Sequence, residues 1–598
     1  MKKILSFCLI GILILSAVGV TGITNTQTSA RTTNDSNMIS KPIIKDEGQY
    51  VTVAFDEGTG YLLNPGKPKV PIVTKVFTFP FKTKITEVTV SFSNTKELLL
   101  SKELQPVEAP IPLNEAAENE PTKDMEVYNS ANLYPTESYS YTTGAGLDRE
   151  EHVNYLTVHC YPIRYSPTEN ILFYNENFEI KITYEEPTTQ TVFSDQNNLV
   201  IISPSEFSSE LQPLINHKNL MGITTILKTT EEIYSAYSGF DDAEKIKYFI
   251  KDAVENMGVN YVLLIGGVQK VPIRHSHASF WEETLLTDLY YADIYNDTGG
   301  FCSWDKDGDG IYGEVYHSQH EFYDIDGVDL YPDVSIGRLP CDTSSEVNTV
   351  VNKIIHYETE TYGESWFNNI ILVGGDTFPG WGGNEGEELN LINEQIMSEF
   401  TSSTLWTSDG TFTAKALNQA INNGAGFIDY SGHGFEIGVA THPPDQQRWV
   451  PYHTNHLLGA TNGDKLPIVF FDACLTAKLD FDVSNFTTYL SPSLVNIINK
   501  FDIGSKLLPC FAWCCVAKSS GGCIATIGAT RTAFGGMDSG AGKMSIEFFS
   551  GYEISEYLGQ MVTQMQNKYI TDVPGDLFTV EEFILIGDPT LKIGGYQG

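Results

Sequence analysis

The pattern of apolar and polar positions changes character once along the chain. Through residues 41–191 it has period two, as in Tyr50-Val-Thr-Val-Ala-Phe55, Ile85-Thr-Glu-Val-Thr-Val-Ser-Phe92 and Phe178-Glu-Ile-Lys-Ile-Thr-Tyr184, which predicts half-buried strands. A Pro-rich break at 65–71 and an acidic, Pro-containing stretch at 106–121 separate them, with no long amphipathic helix between. An all-β, sandwich-like unit is expected there. From Asn198 onward the apolar runs become continuous: Leu199-Val-Ile-Ile-Ser203, Tyr261-Val-Leu-Leu-Ile-Gly-Gly267, Ile370-Ile-Leu-Val-Gly-Gly375, Gly426-Phe-Ile-Asp-Tyr430, Leu466-Pro-Ile-Val-Phe-Phe471 and Ile524-Ala-Thr-Ile-Gly528. Such runs suit strands buried on both faces of a parallel sheet.

Between these runs the period shifts to that of a helix. Asp241 and Glu244 suit a helix start, followed by Ile246, Phe249, Ile250, Ala253, Val254 and Met257; a second set is Val347, Val350, Val351, Ile354 and Ile355. Alternating β and α predicts an α/β unit of two subdomains with parallel-rich sheets. The expected boundaries are a leader at 1–25, a polar Thr/Asn/Ser-rich linker at 26–40, the β-rich domain at 41–195, subdomain A at 196–360 and subdomain B at 361–598.

Composition narrows the function classes. The 598 residues carry 76 acidic against 37 basic side chains, a formal charge of −39, with 41% hydrophobic content, so several folded domains are expected. That charge repels a phosphate backbone and anionic lipid, which excludes nucleic-acid binding as a main function. Lys2-Lys3, an uncharged apolar run over residues 4–20 and small residues at 17–19 form the layout of a secretory signal. A secreted or cell-surface protein is expected, meeting a membrane only through that leader. An uncleaved anchor is the alternative.

In open α/β sheets the chemistry gathers at the carboxyl ends of the strands. The run ending at Tyr430 continues into Ser431-Gly432-His433-Gly434, and the run ending at Phe471 into Asp472-Ala473-Cys474. If those strands are neighbours, the imidazole takes the thiol proton and the thiolate is the nucleophile. The N–H groups of Gly434 and Cys474 would then form an oxyanion hole. Taken singly, such a histidine or cysteine is more often structural; their pairing at two strand ends gives the pattern its weight.

Four blocks resemble the gingipain-type secreted cysteine peptidases, which have a caspase-like fold: Tyr430-Ser-Gly-His-Gly434, Leu466-Pro-Ile-Val-Phe-Phe-Asp-Ala-Cys474, Asp329-Leu-Tyr-Pro-Asp-Val-Ser-Ile-Gly-Arg-Leu-Pro340 and Gly587-Asp-Pro-Thr-Leu591. The resemblance implies a catalytic unit of two caspase-like subdomains behind a β-rich propeptide, with His433 as general base and Cys474 as nucleophile. It implies a thiol endopeptidase acting on proteins or peptides, made as a precursor with its own propeptide as partner and needing no organic cofactor. Asp376 falls where a carboxylate would orient the imidazole, although a turn aspartate is an equal alternative. Glu387 and Glu388 fall near an expected substrate-pocket acid, which would favour Lys or Arg before the scissile bond; helix-start chemistry is the competing explanation. Two other functions stay open: a surface binding or adhesion protein with an inactive unit, and a transpeptidase using the same dyad.

Asp305, Asp307 and Asp309 form an Asp-x-Asp-x-Asp-Gly opening like that of a calcium loop, with Glu314 in reach to close it. The twelfth position is Tyr316, so an EF-hand is not expected, and a structural calcium competes with a plain solvated loop. Cys510, Cys514, Cys515 and Cys523 lack the paired spacing of a structural zinc site and suit core thiols or a disulfide.

Overall fold

The computed structural model describes residues 30–113, 123–189, 198–278, 282–318, 321–380, 383–482, 508–576 and 578–597. The leader and the 190–197 junction lie outside the described residues. The N-terminal region is all-β. One sheet centres on the long strand Ile171–Glu185, which pairs with Lys84–Leu99, Arg31–Met38 and Ile163–Ser166; a second holds Gly60–Leu62, Val70–Pro80, Glu151–Cys160 and Tyr139–Asp148. Their facing side chains form one core, in which Val88, Leu172, Ile180 and Ile182 of the first sheet meet Ile72, Val73, Leu156 and Val158 of the second. Residues 31–38, expected as linker, are instead an antiparallel strand running from Arg31 opposite Tyr184 to Met38 opposite Asn177. Its side chains are too polar for an apolar pattern to mark it, and ladder hydrogen bonds hold it at the sheet edge.

From Leu199 the chain builds one ten-stranded sheet rather than two separate ones. The spatial order is Thr225–Thr229, Leu199–Ser203, Tyr261–Ile265, Ser335–Leu339, Phe583–Ile586, Ala525–Ala529, Ile468–Asp472, Phe427–Ser431, Asn369–Gly374 and Thr401–Trp406. Every pair is parallel except one: Phe583–Ile586 runs parallel to Ser335–Leu339 but antiparallel to Ala525–Ala529. That strand joins two parallel half-sheets of opposite direction. The carboxyl ends of Asn369–Gly374, Phe427–Ser431, Ile468–Asp472 and Ala525–Ala529 therefore share one edge.

The central strands are buried along their whole length, as the continuous apolar runs require. Helices Asp242–Met257 and Ser344–Glu360 form where the helical spacing predicts them. Thr343 caps the latter in a reciprocal pair with Glu346. No helix among the described residues is long and apolar enough to cross a membrane.

The Gly587-Asp-Pro-Thr-Leu591 block has a structural role in this frame. Lys218, fully buried, pairs with Asp588 at 2.8 Å and Glu358 at 2.7 Å and donates to the Thr590 carbonyl at 2.9 Å. These contacts clamp the C-terminal segment to two helices. Lys218→Met would leave buried Asp588 without its cation and Glu358 with only His217, and an equilibrium urea titration should show a loss of about 3–5 kcal/mol.

Candidate active site

His433 and Cys474 come together because their strands are neighbours in register. Tyr430 lies opposite Phe471 and Ser431 opposite Asp472, so each candidate residue stands two positions beyond a paired residue. The Ser431 hydroxyl donates to the Asp472 carboxylate, and Gly432 N–H donates to the Asp472 carbonyl at 3.1 Å, which locks the two strand ends. Gly432 has φ +154°, and a Cβ there would meet the Tyr430 hydroxyl at 2.9 Å. Gly434 lies against the other strand end, where a Cβ would come within 2.9 Å of the Cys474 nitrogen. This close approach brings the backbones of Gly434 and Cys474 side by side. Leu475, just past the cysteine, is held at φ +56°, a strained value for a leucine.

The imidazole of His433 is 2% exposed and surrounded by Phe378, His442 and Trp449, with ring centroids 6.0, 5.5 and 5.0 Å away. Its Nε2 faces the Thr377 carbonyl at 2.6 Å. Its Nδ1 faces a carbonyl 320 positions earlier in the chain, that of Leu113, at 2.5 Å. Burial lowers the histidine pKa, while the two carbonyls favour the protonated ring and oppose that shift.

Cys474 is fully buried. Its thiol donates to the Ala533 carbonyl at 3.3 Å and accepts the Ala533 N–H at 3.2 Å. Burial pushes the thiol pKa well up, with Glu582 adding to the rise, while the Ala533 and Leu113 N–H groups act in the opposite sense. The closed site thus holds a neutral thiol. No hydrogen bond joins His433 to Cys474 among the described residues.

The element between them belongs to the β-rich region. Ile111 and Pro112 pair antiparallel with Gly535 and Phe534, and Leu113 N–H donates to the Ala533 carbonyl at 2.9 Å. Residues 111–113 add a short strand to the edge that follows Ala525–Ala529. Sequence patterning misses this contact because Ile-Pro-Leu sits inside an acidic stretch. A discoverable signal was Gly535-Gly536 beyond a fourth strand end on the same edge as His433 and Cys474.

Asp376 lies near the ring without orienting it. Its carboxylate accepts the Asp445 N–H at 2.8 Å, its own N–H donates to the His442 carbonyl at 2.9 Å, and burial raises its pKa. The group that faces the imidazole is the backbone carbonyl of the next residue, Thr377. Glu387 and Glu388 stand in the first turn of helix Glu385–Ile396. Glu387 accepts the Ser408 N–H at 2.9 Å, and exposed Glu388 accepts the Asn384 N–H at 3.4 Å, so both serve the helix start and its neighbouring loop. The carboxyl missed in sequence is Glu385, whose Oε2 is buried without a hydrogen-bond partner among the described residues. Burial, then Glu388, Asp376 and Glu108, push its pKa up to about 7.

Asp305, Asp307 and Asp309 come together away from this centre, with carboxylate oxygens within 4.8 Å of one another. Glu314 is not among those three, and its pKa is raised by burial and then by Asp309. The four cysteines 510, 514, 515 and 523 are free thiols.

The family model described as peptidase family C25 matches residues 193–594, and the Propeptide_C25 model matches residues 30–208. The chain belongs to peptidase family C25. Gingipain R2 of Porphyromonas gingivalis is 24% identical over 315 residues, covering 51% of this chain and 36% of the relative. Lys-gingipain W83 of the same organism is 20% identical over 463 residues, covering 70% of this chain and 23% of the relative. The crystal structure of the Arg-specific cysteine proteinase gingipain R shares 18% identity and a TM-score of 0.49, covering 68% of this chain and 80% of that one. This C25 chain therefore spans well under half the length of the two curated relatives it is compared with.

Glu385 gives the site a pH dependence. Its pKa is raised in the folded chain, so the folded state holds its proton more tightly than the unfolded state between about 4.5 and about 7. Stability from this group is full at acid pH and is lost as pH rises through that window. Glu385→Gln should raise the melting temperature at pH 8 and change it little at pH 4, measured by calorimetry in both buffers.

Proposed function

We propose that the chain is the latent precursor of a secreted cysteine endopeptidase in which Cys474 is the nucleophile and His433 the general base. The observation that carries this is the backbone of Leu113, a residue of the same chain, whose carbonyl is held at His433 Nδ1 and whose N–H is held at Ala533 beside the Cys474 thiol. A cleft that grips extended backbone at a Cys–His pair is suited to peptide-bond chemistry.

Once the 111–113 strand leaves, the roles follow from what each atom faces. The Thr377 carbonyl retains the Nε2 proton, which leaves Nδ1 toward the cleft as the base. Nδ1 takes the Sγ proton, sulfur bonds to the substrate carbonyl carbon, and the carbonyl oxygen turns negative beside the Gly434 and Cys474 N–H groups. Collapse breaks the C–N bond, and the leaving amine takes the proton from His433. Water then hydrolyses the thioester, releasing the acid and restoring the thiol.

Latency has a steric and an electrostatic part. Residues 111–113 lie across the cleft, and burial of the thiol raises its pKa, which disfavours the thiolate. The oxygen of Leu113 is held at the base, His433 Nδ1. The β-rich region would thus act as an inhibitory propeptide, separated from the catalytic unit between Thr191 and Asn198, with export directed by the residue 1–25 leader. A calcium ion at Asp305, Asp307 and Asp309, with Glu314 nearby, would relieve the repulsion among those carboxylates.

Cys474→Ala should abolish peptide hydrolysis and thiol labelling at this position while leaving the circular dichroism spectrum intact; full activity in that variant overturns the assignment. His433→Ala should lower turnover by about 10²–10⁴-fold. Calcium should raise the melting temperature of the full chain and should fail to do so in Asp307→Ala, because a ligand of the folded state stabilises it by mass action.

A further inference from the structure

The peptide bound in the cleft carries information about side chains as well as backbone. Leu113 is the residue whose own carbonyl meets His433 Nδ1, and the chain before it runs along the cleft edge through Pro112 and Ile111. It therefore takes the place of the residue on the acyl side of a scissile bond. Its side chain is 1% exposed and joins the core of the catalytic unit, although the residue itself belongs to the β-rich region. Gly535 forms a wall of that pocket: a Cβ there would lie 2.8 Å from Leu113 Cδ2 and 3.1 Å from the Phe378 ring.

The acidic groups of the cleft lie elsewhere along the bound segment. Asp376, Glu385 and Glu388 line a cavity of ≈ 380 Å³ beside Glu108–Ile111, upstream of Leu113, and Leu113 does not border it. Glu387, the other acid expected to receive a cation, is occupied by the Ser408 N–H. The walls that meet the Leu113 side chain, Gly535 and the Phe378 ring, carry no charge to pair with Lys or Arg, although both also border that cavity. A lysine placed there would lose water without gaining a partner.

Resting on the peptidase reading above, we propose that this site cleaves after large aliphatic residues, with Leu113 as the built-in occupant of the specificity pocket and Gly535 setting its size. An enzyme pocket of this kind separates side chains by shape and by the cost of burying charge. Phe378 borders both the pocket and the imidazole, so the side chain before the scissile bond packs within one ring of the base.

Two measurements on the full-length chain test this. The first is the rate at which iodoacetamide labels Cys474, followed by mass spectrometry of the peptide that contains it. Leu113→Met should label as slowly as the parent, and Leu113→Lys about tenfold faster or more, because the apolar pocket rejects the ammonium. Slow labelling of Leu113→Lys would overturn the proposal. The second offers Ile-Pro-Xaa-aminocoumarin peptides to the full-length preparation after it has matured to a constant labelling rate. Leu should exceed Arg and Lys in kcat/KM by about tenfold or more, and Gly535→Val should lower the ratio of Leu to Ala kcat/KM about tenfold.

Preferred cleavage after Arg or Lys, with Cys474 labelled, overturns the specificity and leaves the peptidase assignment standing. Absence of cleavage for every peptide together with an unreactive Cys474 overturns the assignment itself, and this proposal with it.

Discussion

The backbone of one residue organises the site. The Leu113 carbonyl faces the imidazole and its N–H donates to Ala533, whose N–H and carbonyl both bond the Cys474 thiol. Through these contacts a residue of the β-rich region lies across the cleft beside a thiol whose burial raises its pKa. The same burial disfavours the charged imidazole, so the separated Cys⁻/His⁺ pair that a thiol peptidase uses is opposed from both sides.

The 111–113 strand is held by a second, larger contact. The Asp329-Leu-Tyr-Pro-Asp333 loop faces the β-rich region: Ala145 N–H donates to the Asp329 carboxylate at 3.0 Å, Leu147 N–H to the Pro332 carbonyl at 2.8 Å, and Tyr331 stacks on Tyr155 with centroids 4.6 Å apart. Asn567 adds a hydrogen bond to the Leu147 carbonyl at 2.8 Å. The sheet reversal at Phe583–Ile586 puts the carboxyl ends of the two half-sheets on opposite edges, so the β-rich region grips the catalytic unit at the 329–333 loop and again at the edge that carries His433 and Cys474. Residues 111–113 thus add to a contact that the β-rich region also makes at the 329–333 loop.

The strands that position the site are visible in the sequence for a physical reason. A parallel strand buried on both faces must be apolar throughout, and the chain leaving it must turn sharply, so apolar runs ending in Gly-His-Gly or Asp-Ala-Cys mark strand ends. The groups acting around them leave weaker marks. Thr377 contributes a backbone carbonyl, which any residue supplies, so attention falls on the neighbouring Asp376 carboxylate. Glu387 and Glu388 carry the charge a cationic substrate would seek, yet helix-start acids have the same pattern and here serve that purpose. Arg31–Met38 escapes because an edge strand held by backbone pairing needs few apolar residues. Leu113 escapes because its partner lies 320 positions away, and nothing local to Ile-Pro-Leu announces an active site.

Amide hydrogen exchange on the full-length Cys474→Ala chain tests the central claim most directly, since that variant keeps the strand pairing while unable to process itself. The Leu113 amide should exchange slowly in the intact chain, and it should lose protection once the chain is cut between residues 191 and 198 and the β-rich region is released. Exchange of the Leu113 amide at the rate of free peptide in the intact chain would contradict the account.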